Sequence, residues 1–388
     1  MLPITAAMLS VTHKCNLACK YCFVNQCPED MTFDTAKKAA DWLAANANYP
    51  DNIPEINFFG GEPLLRWDDV VKPLISYIRC TYRYPYKLSM TTNGVLLTED
   101  KLRYLKKMDV GILISIDGSK ETQDYNRPFH NGNGSFDVIE PNILTAIELY
   151  PALVFRMTLI PDTCHNFMSN VMYAQSIGYN RVFAMPNVFE EWTEEKREVM
   201  RKQLRIYSEY YIASYKKGII PIDFNPLENA FKDILLINQA IDSEQYRTNA
   251  RCKACNQCGI GATKFAAIDP LGDIYSCQEL TSTMNRDSIF YIGNLTDGIY
   301  EERREALTSL YNAIAVSGAN CAECKYDVIC DGGCAANNYL VNGDINKIPE
   351  VFCWWRQILL DEAIYVATVL GEAECFRFKK HWEVICNG

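Results

Sequence analysis

The stretch CNLACKYC, from Cys15 to Cys22, lies near the start of this 388-residue chain and governs how the rest is interpreted. Its three cysteines are spaced C-x3-C-x2-C, with Tyr21 directly before the last one. Iron–sulfur clusters are normally held by four cysteine thiolates, so the compact set of Cys15, Cys19 and Cys22 predicts a [4Fe-4S] cluster with one iron open to another ligand. A structural zinc site or a group of buried thiols is the alternative.

Around this loop, short apolar runs alternate with amphipathic stretches up to about residue 220. The runs predict strands at 8–11, 56–59, 88–92, 112–116, 153–159 and 181–185. The stretches predict helices at 34–47, 68–79, 99–108, 138–149 and 171–177, followed by 190–217 and 225–251. Strand–helix units in series predict a parallel sheet with right-handed crossovers, and so an α/β fold with a partial (β/α)6 barrel. The cysteine loop directly follows the first strand, where ligands gather in such folds.

Composition limits the class of function. The net charge of -10 and pI of about 5.1 argue against a nucleic-acid partner, because such binding needs clustered Lys and Arg. No apolar run reaches the length of a membrane span, and the N-terminus lacks a secretion signal, so we expect a cytoplasmic protein with no membrane partner. In that reducing compartment, 17 cysteines indicate metal ligands rather than disulfides.

Directly after the second predicted strand stands Gly60-Gly61-Glu62-Pro63. Two glycines let the backbone approach a ligand closely, and the Glu62 carboxylate can accept hydrogen bonds from an ammonium group. Taken alone, this motif is also an ordinary turn. In combination with the cysteine loop, it resembles the GGE motif of the radical SAM superfamily, which holds the amino group of S-adenosylmethionine (SAM). In that family the amino and carboxylate groups of SAM chelate the open iron.

Three further segments match the same family: TTNG at 91–94, SIDG at 115–118 and DYNRP at 124–128. The first two end predicted strands at positions that contact the ribose and methionine parts of SAM in the family. The third resembles the segment whose arginine pairs with the SAM carboxylate, a bidentate contact that lysine does not reproduce. For Asn93, Asp117 and Arg127 taken singly, a turn, cap or surface ion pair is the alternative, and their joint order along the chain is the evidence. The resemblance implies SAM contacts from Tyr21, Gly60, Gly61, Glu62, Pro63, Thr92, Asn93, Ser115, Asp117 and Arg127.

Beyond about residue 240 the sequence is rich in cysteine and glycine. A C-x2-C-x5-C-x3-C run from Cys321 to Cys334 supplies too many thiolates for one tetrahedral zinc and indicates two polynuclear centres. The region resembles the SPASM domain, which carries two auxiliary [4Fe-4S] clusters. The resemblance implies a first cluster on Cys252, Cys258, Cys277 and Cys334 and a second on Cys321, Cys324, Cys330 and Cys353, with Cys255 as an alternative to Cys252. We expect a barrel with a bridging helix at 1–235 and a SPASM domain at 236–388.

The resemblance also implies the chemistry. An electron from an external flavodoxin or ferredoxin type of donor would cleave SAM to a 5'-deoxyadenosyl radical, which abstracts hydrogen from a peptide. The auxiliary clusters would accept a second electron or anchor a substrate thiolate. We therefore expect an oxidative modification, such as a thioether or other crosslink, in a short Cys-rich precursor peptide. With fourteen residues before Cys15, leader recognition would need a separate binding protein, strand addition at a sheet edge, or no leader.

Two alternatives stand beside this expectation. Anaerobic sulfatase maturases form formylglycine, and commonly have Tyr where this chain has Val24 and an Asp base where it has Gln278. Both differences weigh against that activity, although Glu279 is a candidate for the base. The second alternative is an electron-transfer protein with several clusters, which accounts for the cysteines but not for the strand-end motifs.

Overall fold

The computed structural model describes residues 2–237, 260, 264–310, 321–326, 330 and 332–371. Its first half is built on four parallel strands, each hydrogen-bonded to the next in chain order. They are β1 (Ala6–Ser10), β2 (Glu55–Phe59), β3 (Lys87–Thr92) and β4 (Val110–Ile114). Burial alternates along β2 and β3, the pattern of strands that place successive side chains on opposite faces.

Helices connect the strands, and all but Lys120–Asn126 lie at predicted positions. They are Phe33–Ala47, Lys72–Thr81, Glu99–Lys107, Lys120–Asn126, Phe136–Leu149 and Phe167–Ser176. The first is capped by Thr32, whose side chain accepts a hydrogen bond from the backbone N–H of Thr35. The single helix predicted at 68–79 is instead a π-helical turn, Trp67–Val71, followed by Lys72–Thr81. The change of pattern coincides with Pro73, which has no N–H to donate to the preceding turn.

A second sheet continues the strand series. It consists of β5 (Phe155–Leu159), β6 (Arg181–Pro186) and β7 (Asp223–Phe224), all parallel. A parallel bridge between Ser115 and Arg156 joins it to the first sheet just beyond β4. The six strands β1 to β6 therefore follow one another around an open curve, and the predicted α/β class with a partial barrel is confirmed.

The cysteine-rich part adds four strands at the other edge of the first sheet. These are β8 (Phe265–Ile268), β9 (Asp273–Tyr275), β10 (Tyr291–Asn294) and β11 (Gly298–Ile299). Strand β8 pairs in parallel with β1, whereas β8 to β11 pair antiparallel with one another. The resulting order is β11-β10-β9-β8-β1-β2-β3-β4. The domain boundary predicted at 235–236 falls in the helix Asn225–Ile237 and stays a prediction.

The remaining helices bring the end of the described chain back to the barrel. They are Glu194–Lys216, Asn225–Ile237, Glu301–Leu310, Ala335–Asn342 and Glu350–Leu370. In the last of these, Glu362 is buried and accepts a two-pronged ion pair from Arg205 of Glu194–Lys216, with N···O distances of 2.9 Å. Trp354 packs on Trp192 with ring centres 5.2 Å apart. Within the described ranges, no helix is long and apolar enough to cross a membrane.

Candidate active site

The cysteine loop is fixed by backbone hydrogen bonds from two directions. On one side, the N–H groups of Ala18 and Lys20 donate to the carbonyls of Pro128 and Asn126 at 2.8 and 3.0 Å. On the other side, the N–H of Glu62 donates to the carbonyl of Lys14 at 2.9 Å. The DYNRP segment therefore holds the cysteine loop, and the GGEP segment holds the residue that leads into it.

The two glycines of GGEP pack against the chain that enters the cysteine loop, and their predicted contact with SAM stays a prediction. Gly60 has a φ of +125°, and a Cβ there would collide with the carbonyl oxygen of Thr12. A Cβ on Gly61 would lie 2.5 Å from the carbonyl carbon of Lys14. The close approach that requires glycine is thus to the chain entering the cysteine loop, and Pro63 begins a short 3-10 helix, Pro63–Arg66, just beyond it.

The three thiols of the loop influence one another. Burial raises the pKa of Cys15 to about 12, and Glu62, Cys19 and Cys22 add to that shift. Burial raises the pKa of Cys19 to about 11, with Cys22 adding to the shift. These raised pKa values mean that the free thiolates are unfavourable in this site. A metal cation that binds thiolates would favour their ionised form, so the site is suited to one.

Glu62 is a buried carboxylate at the end of β2. Its Oε1 accepts hydrogen bonds from the N–H of Leu64 at 3.0 Å and the hydroxyl of Thr92 at 2.8 Å. Its Oε2 accepts one from the N–H of Asn93 at 2.8 Å. Burial raises the pKa of Glu62. The side-chain amide of Asn93 in turn lies 3.6 Å from the sulfur of Cys15, so this carboxylate network reaches the cysteine loop.

A second buried network centres on Asp117, beyond the end of β4. Its Oδ2 accepts hydrogen bonds from the Tyr21 hydroxyl at 2.5 Å and the Asn126 amide at 3.1 Å, and lies 3.2 Å from Nε of Arg127. Its Oδ1 accepts one from the N–H of Thr158 at 2.9 Å. The Arg127 guanidinium also lies 5.2 Å from the Tyr21 ring centre, and its Nη1 is 3.9 Å from the sulfur of Cys19. The cation expected to face SAM is therefore anchored by Asp117 beside a cysteine of the loop.

Sequence reasoning missed Arg156. Strand β5 buries Phe155, Met157 and Leu159 on one face and places Arg156 on the other. The Arg156 guanidinium packs over the Phe183 ring at 4.4 Å. A lone arginine between buried apolar residues of a strand was the available signal, because such a residue on a barrel strand points to the opposite face.

Glu279 lies close enough to Arg156 for their charges to interact. Burial raises the pKa of Glu279 to about 7, and Arg156 opposes that shift. Within the described part of the chain, Oε2 of Glu279 is buried without a hydrogen-bond partner. Arg156 is also influenced by the charges of Tyr21, Arg127 and Asp117. The charge of the candidate base Glu279 thus interacts with Arg156, and Arg156 in turn interacts with the charges of the Asp117 network.

The thiols of the second predicted set of auxiliary ligands lie near enough for their charges to interact. Burial raises the pKa of Cys353 to about 12, and the thiols of Cys330, Cys321 and Cys324 add to this shift. Gln357, one turn after Cys353 in the helix Glu350–Leu370, donates to the sulfur of Cys324 at 3.5 Å. Of the first predicted set, Cys277 is buried at the start of a 3-10 helix and Cys334 precedes the helix Ala335–Asn342. The other ligands of that set, Cys252 and Cys258, and the alternative Cys255 lie outside the described residues.

Comparison with known proteins identifies the family. The family model described as "Radical SAM superfamily" matches residues 9–203, half of the chain and the part that contains both buried networks. The chain belongs to the radical SAM superfamily. It is therefore an enzyme rather than an electron-transfer protein, and membership implies SAM and one [4Fe-4S] cluster.

Several relatives of this radical SAM enzyme are known. It is 26% identical to "Radical SAM cyclopropyl synthase TigE" of Paramaledivibacter caminithermalis over 93% of this chain and 74% of that protein. It is 23% identical to a "Serine-type anaerobic sulfatase-maturating enzyme" of Klebsiella aerogenes over 92% of this chain and 88% of that protein.

Two solved structures share the fold of this radical SAM enzyme. "Native anSMEcpe with bound AdoMet and Cp18Cys peptide" has a TM-score of 0.70 and 17% identity over 94% of this chain and 98% of that one. "Crystal structure of Streptococcus suis SuiB bound to precursor peptide SuiA" has a TM-score of 0.59 and 13% identity over 90% and 76%. At these identities the likeness establishes the fold.

The residues of the site fit the groups that the radical SAM family requires. The loop offers three thiolate donors, Cys15, Cys19 and Cys22, whose charges interact with one another. Thiolates are the ligands that hold iron–sulfur clusters, and three of them leave one iron of a [4Fe-4S] cluster open. Of the predicted SAM contacts, Tyr21, Glu62, Thr92, Asn93, Asp117 and Arg127 fall into the Glu62 and Asp117 networks, both next to the loop. Gly60, Gly61 and Pro63 shape the backbone at the loop entry, and Ser115 makes backbone contacts, a bridge to Arg156 and an N–H···O bond to Thr92.

Proposed function

We propose that this radical SAM enzyme oxidatively modifies a peptide or protein, and that the substrate is a short, ribosomally made, Cys-rich peptide that gains a thioether or another crosslink. The convergence of Cys321, Cys324 and Cys330 on Cys353 carries the proposal. A second redox centre gives a two-electron oxidation a place to send its second electron. The peptide substrate is supported by two proteins of similar fold, anSMEcpe and SuiB, which are described with bound peptides.

We assign Cys15, Cys19 and Cys22 to the SAM-binding [4Fe-4S] cluster. The chemistry that the bound groups supply is reductive cleavage of SAM to a 5'-deoxyadenosyl radical, which takes a hydrogen atom from the substrate. The residues proposed to hold SAM are Tyr21, Gly60, Gly61, Glu62, Pro63, Thr92, Asn93, Ser115, Asp117 and Arg127. Gly60, Gly61 and Pro63 act in this assignment by shaping the backbone around the loop.

The buried networks orient the polar groups of this site. Asp117 uses one carboxylate oxygen to hold Tyr21, Asn126 and Arg127, so the Arg127 cation stays beside Cys19 without rearrangement. Glu62 accepts three hydrogen bonds yet keeps lone pairs free for an ammonium donor. Preorganised charges in a water-poor site interact more strongly than solvated ones. The chain itself thereby fixes the geometry that a bound amino acid moiety meets.

Glu279 is proposed as the residue that accepts a proton from the substrate. Its Oε2 has no partner among the described residues, it is buried, and Arg156 is its nearby cation. An unpartnered carboxylate oxygen next to the reacting region can receive a proton that the substrate loses on oxidation.

The auxiliary centres complete the proposal. We assign one [4Fe-4S] cluster to Cys321, Cys324, Cys330 and Cys353, and a second to Cys277 and Cys334 with Cys252 and Cys258. These belong to a SPASM domain proposed at 236–388, after a barrel at 1–235. An external flavodoxin or ferredoxin supplies electrons, and a separate protein can supply leader binding.

Two measurements test the function. Anaerobically reduced, cluster-loaded enzyme should release 5'-deoxyadenosine from SAM, and the variant with Cys15, Cys19 and Cys22 all changed to Ala should not. That variant should keep about two thirds of the iron, because two of three clusters remain. Co-expression with a short Cys-rich peptide encoded beside the gene should then lower the peptide mass by two hydrogen atoms per crosslink. An unchanged mass argues against crosslinking.

Formylglycine formation is the second candidate. The 23% identity to a sulfatase-maturating enzyme over most of both chains favours it. Val24 and Gln278 count against it, as argued from the sequence. Incubation with a peptide that carries the Cys or Ser target of a sulfatase distinguishes the two functions. If an aldehyde forms in that peptide, formylglycine formation is the function and the crosslinking proposal is wrong.

A further inference from the structure

A second group of potential metal ligands lies at the base of the cysteine loop. It consists of His13, Cys27 and Glu29, none of which the proposed function uses. One ligand atom from each of these residues lies within 4.8 Å of the other two. Nδ1 of His13 is 3.2 Å from the sulfur of Cys27. Imidazole nitrogen, thiolate and carboxylate are the three kinds of protein ligand that zinc accepts.

The backbone sets this grouping. Residues 11–13 run antiparallel to 29–31: the N–H of His13 donates to the carbonyl of Glu29 at 3.1 Å, and the N–H of Met31 donates to the carbonyl of Val11 at 2.9 Å. Thr12 bridges Asp30 between them, and its hydroxyl donates to the Asp30 carboxylate at 2.6 Å. His13 and Glu29 therefore face each other by register, independently of any bound ion.

Two polar atoms of the group are buried without a hydrogen-bond partner among the described residues. His13 is only 4% exposed, and its Nε2 lacks a hydrogen-bond partner within the described ranges. Oε2 of Glu29 is also buried and also lacks a hydrogen-bond partner within those ranges. A buried polar atom without a partner lowers stability, and a carboxylate oxygen more than a neutral one. A cation between the three side chains would remove that cost for the carboxylate.

We propose that His13, Cys27 and Glu29 bind a divalent zinc ion, with the fourth position filled by water. Tetrahedral zinc with bonds of about 2.0–2.3 Å separates a nitrogen and a sulfur ligand by roughly 3.5 Å, close to the observed pair. The group lies outside the three cysteines of the cluster, and its softness suits zinc better than magnesium or calcium.

At this position a zinc ion would restrain the cysteine loop. His13 and Cys27 flank the segment that contains Cys15, Cys19 and Cys22, so zinc would close that segment into a ring. Closing a loop removes conformations that an open loop can adopt. Zinc would thus restrain the cysteine loop from its two ends, and its removal should speed the loss of iron to a chelator.

Metal analysis of anaerobically purified, cluster-loaded enzyme tests the proposal. After incubation with one equivalent of zinc sulfate and desalting, wild type should retain about one zinc ion per chain. Cys27→Ser and Glu29→Gln should each lose most of it while keeping their iron. Cys80→Ser, which changes an exposed thiol elsewhere, should retain both metals. With cobalt(II) as probe, wild type should show thiolate-to-cobalt absorption that Cys27→Ser lacks.

Either of two results would overturn the zinc site. One is wild type that retains no zinc after desalting. The other is zinc retention by Cys27→Ser and Glu29→Gln equal to that of Cys80→Ser. If Cys27→Ser does not fold, as judged by circular dichroism, Glu29→Gln alone decides, because that change preserves size and shape.

Discussion

Replacing Asp117 by Asn removes one charge from the centre of the site with almost no change in shape. The Asp117 side chain is fully buried, and that of its partner Arg127 is 10% exposed. Asn keeps an acceptor for the N–H of Thr158. Its NH₂ group, however, would replace the oxygen that now receives the Tyr21 hydroxyl, the Asn126 amide and the Arg127 cation. Donors would then face donors, and the Arg127 charge would be buried without its counter-ion.

The size of the stability loss in Asp117→Asn follows from the burial of this ion pair. Breaking a buried ion pair by removing one partner costs about 3–5 kcal/mol. For 388 residues, an unfolding entropy of about 2.1 cal/mol/K per residue gives roughly 0.8 kcal/mol/K. Asp117→Asn should therefore lower Tm by about 4–6 °C. Adding Arg127→Met should recover part of this loss, because the uncompensated charge is then gone.

Anaerobic differential scanning calorimetry of cluster-loaded protein measures these shifts. The matched control is Asp137→Asn, which removes an ion pair with Lys120 whose Asp137 side chain is 75% exposed, so no comparable shift is expected. If Asp117→Asn shifts Tm no more than Asp137→Asn, the Asp117 network does not stabilise the site as argued. Equal losses in the single and double variants would refute the role given to Arg127.

Three further predictions follow from single sites. Gly61→Ala should reduce the iron content of purified protein, because its Cβ would lie 2.5 Å from the carbonyl carbon of Lys14; Gly111→Ala, with its nearest neighbour at 3.7 Å, should retain full iron. Cys353→Ala should lose about a third of the iron on reconstitution, and full retention would contradict its assignment to one of three clusters. Asp269→Asn should raise Tm at pH 8 but not at pH 4. Burial raises the pKa of Asp269 from 3.8 to about 6, so in wild type the stability falls by roughly 3 kcal/mol as pH rises through that range, and a pH-independent difference would refute this.

The sequence predicts the helices and strands whose apolar residues recur at a regular spacing. It misses the features that depend on contacts between residues far apart in the chain. Strand β5 is predictable because Phe155, Met157 and Leu159 alternate along it. The helix Lys120–Asn126 has only seven residues, too few to show a helical period, yet it supplies the Asn126 that holds both Asp117 and the cysteine loop. The position of Arg156 in the site is set by a backbone bridge to Ser115, which joins the two sheets. No local sequence pattern predicts that bridge.

The glycine motif shows a second limit. A Gly-Gly pair at a strand end predicts a close approach, and the structure contains one at both positions. The sequence does not specify the partner, because chain and ligand impose the same steric requirement. Here the partner is the backbone of Thr12 and Lys14, so the motif acts on the site by fixing the entry of the cysteine loop.

Strands β8 and β9 link the proposed auxiliary centres to the proposed radical site. Strand β8 pairs in register with β1, and β9, which pairs antiparallel with β8, leads into Cys277. Side-chain contacts continue this pairing: the Ser10 and Thr281 hydroxyls lie 3.4 Å apart, and the N–H of Asn25 donates to the Ser282 hydroxyl at 3.1 Å. Because β1, β8 and β9 belong to one sheet and these hydrogen bonds join the segments that follow β1 and Cys277, the separation of the two segments is set by the fold rather than by a flexible linker. A substrate held between them would meet hydrogen abstraction and electron acceptance at a fixed distance, which is the arrangement that a two-step oxidation of one bound peptide requires.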